Sequence, residues 1–117
     1  MTPTRPRPPG RDGRPPTPAA LRRRFPQLAR LFGAYVNEDF DAFGGTPEDA
    51  VRAFAREARP VEVAAAHAEV ERLLAEATDE ASLDRVLGAL RCGYLPSADG
   101  RTARAFLDAV RTVLARR

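Results

Sequence analysis

The sequence predicts an all-α protein: a compact bundle of about five short helices behind a disordered N-terminal tail. Three observations carry this reading. From residue 28 onward apolar residues recur at spacings of three and four, no window alternates with period two long enough to argue a strand, and seven of the 11 prolines are gathered within residues 1–18. There they mix with Gly and Arg, a composition that cannot bury enough apolar surface to offset the entropy of ordering. We therefore divide the chain into a Pro/Arg-rich tail, 1–18, and a helical domain, 19–117.

The first helix is opened by Pro26 and carries Leu28, Leu31, Phe32 and Tyr35 on one stripe, with Gly33 as an exposed weak point. Thr46-Pro47-Glu48-Asp49 reads as the next start, with Thr46 as N-cap, Pro47 at the first helical position and two acids set against the helix dipole. That helix is expected to bury Val51, Phe54, Ala55 and Ala58. Pro60 opens a third, with Val63, Val70 and Leu74 on its stripe and Leu73 and Ala77 beside it. Thr78, Asp79 and Glu80 begin a fourth, burying Leu83, Val86, Leu87 and Leu90, and Gly93 is suited to a left-handed C-terminal cap. "LPSADGRT" is turn chemistry, and from about Thr102 a fifth helix presents Ala103, Phe106, Leu107, Val110 and Leu114.

The formal charge of +3 conceals a division. Residues 1–24 carry seven Arg against Asp12, so the remainder is mildly acidic. All 19 basic residues are Arg, Ile is absent and Ala occurs 22 times, a usage that points to coding bias more than to nucleic-acid chemistry. The single cysteine, Cys92, has no partner for an internal disulfide, which fits a reducing compartment. The N-terminus lacks the apolar core of a signal peptide, and no stretch approaches the roughly 20 apolar residues needed to cross a bilayer. The expectation is a cytoplasmic protein that does not engage membranes.

Catalysis finds little support. His67, the one histidine, lies at the margin of an apolar helical face without the partners a general base needs, and Cys92 reads as a small buried thiol at a helix end. Zinc-type Cys/His spacing, a P-loop and a dinucleotide fingerprint are all missing, so neither catalytic residues nor a cofactor is assigned. A calcium loop can be drawn from Asn37, with Asn37, Asp39 and Asp41 at positions one, three and five and Glu48 at twelve. Ala42 stands where the turn needs Gly and Pro47 falls inside the loop, so no metal site is assigned and a calcium-responsive module ranks third among the readings.

The segment "YVNEDFDAFGGTPED", residues 35–49, holds five carboxylates and no basic residue around three aromatic rings. Capping explains Glu48 and Asp49. Glu38, Asp39 and Asp41 are left over, and with Tyr35, Phe40 and Phe43 they combine an anionic field with potential anchors, the requirement for fast, oriented association with a basic partner. The six residues Tyr35, Glu38, Asp39, Phe40, Asp41 and Phe43 form the candidate partner-binding set. A solvated loop accounts for the same charges equally well. The arginine tail offers the runner-up function, nucleic-acid binding through counterion release, weakened by the lack of interleaved aromatics and by the acidic body that follows.

Taken in order, "FPQLARLFGAYVNEDF" (25–40), "GTPEDAVRAFAREA" (45–58) and "LRCGYLPSADGRTARAFLDAVRTVL" (90–114) resemble the small helical immunity proteins of contact-dependent growth inhibition systems. Members of that family open with a Phe-Pro-x-x-x-x-Leu helix and lead into a Tyr-containing segment ending in Asp and an aromatic, usually Trp. The similarity spans about residues 25–115, and no single piece of it is a catalytic signature. Phe40 stands where Trp is more usual, Val36 where an aromatic is common, and the N-terminal tail is not part of the pattern. The resemblance implies a cytoplasmic antidote that binds the cognate C-terminal toxin domain of a polymorphic secreted effector, and we expect a monomer in a one-to-one complex. A basic nuclease is the toxin class an acidic surface would fit.

Overall fold

Every proline after Thr17 stands at the first position of a helical element: Pro18, Pro26, Pro47, Pro60 and Pro96. The ring fixes φ near the helical value, and the missing N–H is one that a helix start leaves unpaired anyway. The structure, a computed structural model, describes residues 16–116. It contains six α-helices among those residues: α1 Pro18–Arg24, α2 Pro26–Ala34, α3 Pro47–Glu57, α4 Pro60–Glu76, α5 Glu80–Ala89 and α6 Ala103–Ala115. Two single 3-10 turns, Phe40–Phe43 and Pro96–Asp99, lie in the connections, and no strand occurs among the described residues.

The all-α bundle is as expected, with one helix more. α1 is short, buries only Leu21 and hides within the Arg-rich stretch. Of the sequence assigned to the tail, residues 1–15 lie outside the described residues, while Thr17 and Pro18 are the cap and first residue of α1. Threonine hydroxyls cap three helices, Thr17 accepting from Ala20 N–H, Thr46 from Asp49 N–H and Thr102 from Ala105 N–H at 3.0–3.1 Å.

α4, the longest helix, packs against α2, α3 and α6; α6 also meets α3 and α5, and α1 lies against α2 and α5. Between them Phe25, Phe32, Phe54 and Phe106 are sealed from solvent with Leu28, Leu31, Leu83 and Leu107. The stripes expected from the sequence are buried, except that Tyr35, Ala55 and Ala77 are only half-buried and Gly33 is half-buried instead of exposed.

Helix ends are held by side chains from other helices. Glu69 of α4, 6% exposed, accepts from Leu28 N–H at 2.9 Å and Gln27 N–H at 3.3 Å, supplying the N-terminal cap that Phe25 cannot. Glu80 of α5 accepts from Ala103 N–H at the start of α6. Arginines serve the opposite ends. Arg72 of α4 donates to the Arg24 carbonyl of α1 at 2.8 Å, Arg22 of α1 to the Ala89 carbonyl of α5 at 2.9 Å, and Arg104 of α6 to the Leu74 and Ala77 carbonyls closing α4. Acids at helix starts and cations at helix ends match the sign of the helix dipole in every case. Several arginines thus have structural work that coding bias alone does not describe.

Candidate partner-binding surface

The chain leaves α2 at Tyr35 and enters α3 at Pro47, and the segment between them is pinned from both sides. Asn37 turns its amide back on α2, donating to the Gly33 carbonyl at 3.2 Å, while its Oδ1 accepts from Asp39 N–H at 2.9 Å. Phe40 meets Tyr94 edge-on with ring centroids 5.6 Å apart, and Tyr94 in turn lies 4.9 Å from the core ring of Phe106. Phe43 packs on Tyr35 at 5.4 Å, and Tyr35 meets Phe54 edge-on at 5.6 Å. The three rings of the candidate set are therefore half-buried fastenings between the segment and the body. The Tyr35 hydroxyl donates to Glu57 at 2.7 Å, and that bond, with some burial, raises its pKa.

Glu38, Asp39 and Asp41 are exposed, and among the described residues no cation lies within 4.0 Å of them. Glu48 and Asp49 differ. Glu48 pairs with Arg101 at 2.8 Å, and Asp49 with Arg52 at 2.7 Å. The calcium register drawn from Asn37 thus has its twelfth position committed to an ion pair and its first to backbone contacts.

Arg101, which the sequence reading passed over, organises the other wall. It spans Glu48, the Tyr94 hydroxyl at 3.4 Å and the face of the Phe106 ring at 5.5 Å, and the Tyr94 hydroxyl donates to Asp99 at 2.8 Å. Burial opposes the charge of Arg101, but Glu48 and Tyr94 hold its pKa above the ordinary value. Burial, then the bond to Asp99, raises that of Tyr94.

Gly93 does not take the left-handed conformation expected of it. Arg91 does, with φ 66°, and Gly93 is needed for closeness: its N–H donates to the Val36 carbonyl at 2.7 Å, and an added Cβ would lie 2.4 Å from the Asn37 carbonyl carbon. Cys92 beside it is half-buried, its Sγ 3.5 Å from the Tyr94 carbonyl, and burial pushes the thiol up to about 11. His67 sits at the edge of the core, 3.7 Å from Glu71.

The helical frame thus carries an acidic rim that meets no cation within 4.0 Å among the described residues, on rings packed against the body. Over residues 24–114 the sequence matches the family described as CdiI immunity protein, and the chain belongs to that family. Its function is immunity, the neutralisation of the toxin of a contact-dependent growth inhibition system. Among solved structures it is similar to a chain in the crystal structure of a CdiA-CT/CdiI complex from Y. kristensenii 33638. The identity is 24% and the TM-score 0.69, over 77% of this chain and 97% of that one. That likeness extends the helical fold beyond this sequence. No curated protein matches.

Proposed function

We propose that the protein neutralises its toxin by stoichiometric binding through the surface of Glu38, Asp39 and Asp41 above Tyr35, Phe40 and Phe43. The observation that carries this reading is the charge left over: three exposed carboxylates without a cation among the described residues, on a segment whose rings are fastened to the core. The similar chain of known structure belongs to a CdiA-CT/CdiI complex, which supports a C-terminal toxin domain as the partner here. A basic surface on that domain meets the acidic rim, and a nuclease, which must present a positive cleft to its substrate, is the toxin class that fits. In this reading the complex is one-to-one and cytoplasmic. Inhibition is by occlusion. A thiol held near pKa 11 and a histidine at the core edge support a binder in preference to a catalyst.

The test is to co-express the full chain with its cognate toxin domain, then replace Glu38, Asp39 and Asp41 with Arg. Circular dichroism should be unchanged and the association rate should fall about tenfold or more, with a weaker dependence on salt. A folded triple variant that binds with unchanged rate and affinity removes this surface as the interface.

A further inference from the structure

Leu95 is 61% exposed between two buried neighbours, Tyr94 and Pro96. Its backbone is extended, with φ −108° and ψ 102°, so its side chain is directed away from the side on which Tyr94 is buried. The loop cannot withdraw it. Gly93 is hydrogen-bonded to Val36 and in contact with the Asn37 and Glu38 backbone, Tyr94 is held by Asp99 and Phe40, and Pro96 begins a 3-10 turn. Residues 91–96 and the acidic segment therefore form one surface. A shallow concavity of about 540 Å³ lies at their junction, with Glu38 and Asp39 on one side and Arg91 and Cys92 on the other. Leu95 follows Gly93 at no more than roughly 7 Å of chain.

We propose that Leu95 is an apolar anchor of the toxin interface, and that the partner it fits is a toxin domain presenting an apolar socket bordered by Lys or Arg side chains. The inference rests on the acidic-rim reading above and adds what that reading lacks. Exposed carboxylates steer a partner in but hold it weakly, because solvent screens them. An exposed leucine on a loop whose conformation is already fixed loses little entropy on docking and excludes water from the contact. Continuity with the acidic rim selects the toxin as occupant, since a partner guided onto Glu38 and Asp39 meets residues 91–93 across the same concavity, and Leu95 is two residues beyond them in a loop held to the acidic segment by Gly93 and Tyr94.

The experiment compares the full chain, Leu95→Ser, Leu95→Met and the triple charge reversal at Glu38, Asp39 and Asp41, binding the cognate toxin domain with its active site silenced. Leu95→Ser should leave the melting curve in place and raise the dissociation rate at least about tenfold, with the association rate and its salt dependence unchanged. Leu95→Met, which keeps the apolar volume, should dissociate nearly as slowly as the parent. If Leu95→Ser dissociates like the parent while the triple variant associates slowly, the anchor is overturned and the acidic rim stands. If the triple variant associates like the parent, the acidic-rim reading falls, and the joined surface falls with it, whatever Leu95→Ser does.

Discussion

Glu69 lies within the apolar stripe of α4, yet its carboxylate accepts the backbone N–H of Leu28, one full helix away, at 2.9 Å. One buried acid thereby ends the N-terminal deficit of α2. Glu69→Ala strands two amide donors, and a cost of about 2–3 kcal/mol is expected. Glu69→Gln keeps one acceptor and should lose less. Urea midpoints for the three proteins, with unchanged m-values, check the order.

Acid and base titration of stability should show two carboxylates pulling in opposite directions. The Arg59 N–H first, then Arg30, hold Glu62 at about 2 against an ordinary 4.5. The folded protein releases that proton more readily, so the contribution is complete above about pH 4.5 and lost as pH falls toward 2. Burial raises Glu69 above its ordinary 4.5, with the Leu28 and Gln27 amides opposing. Its contribution is complete below 4.5 and declines as pH climbs through the raised value. Melting temperature against pH should have a shallower acid limb in Glu62→Gln, with Asp79, lowered by its bond to Ser82, supplying part of what remains, and should lose its opposing slope in Glu69→Gln.

Two glycines invite opposite outcomes. Gly33 has open space around an added Cβ within helical backbone, so Gly33→Ala should stabilise by about 0.5–1 kcal/mol. Gly93→Ala forces a methyl against the Asn37 backbone at 2.4 Å and should cost about 1–3 kcal/mol. Thermal unfolding of both variants decides.

Phe40→Ala should lower stability and toxin affinity together. The ring is half-buried against Tyr94, and about half the 3–5 kcal/mol of a fully buried Phe is at stake, roughly 2 kcal/mol. An affinity loss in a variant still folded by circular dichroism is the expected pattern. Loss of stability alone would make the ring a fastening only.

Alkylation of Cys92 by iodoacetamide near neutral pH should be slow in the native protein and rapid in urea, because burial holds the thiol near 11. Mass spectrometry of timed samples reads both rates.

Helix starts were legible because proline and threonine act locally: Pro26, Thr46-Pro47, Pro60 and Thr102 mark four starts from neighbours alone. α1 was not, since seven residues with one buried leucine give no periodicity to detect. The tertiary caps were hidden for a related reason. Glu69 could have been suspected as an acid between Ala66, Val70 and Leu73, but nothing local names Leu28 as its target. At the surface the sequence located the acids and rings and left open how far the rings were buried. That depends on Tyr94 and Phe54, which meet them from distant parts of the chain. Gly93 misled because glycine answers two needs, a left-handed backbone and missing bulk, and only packing shows which applies.

Followed from helix to helix, four of the tertiary caps close on themselves. Arg104 of α6 clasps the end of α4, Glu80 of α5 the start of α6, Arg22 of α1 the end of α5, and Arg72 of α4 the end of α1. A circuit of clasps has no loose end from which to unzip, so these four helices should exchange their amide protons as one cooperative unit. α3 stands outside the circuit, with its own threonine cap and the Glu48–Arg101 pair as its tether. It and the segment before it should therefore exchange as a separate unit, held by the packing of Tyr35 on Phe54 and of Phe40 on Tyr94 and not by the circuit.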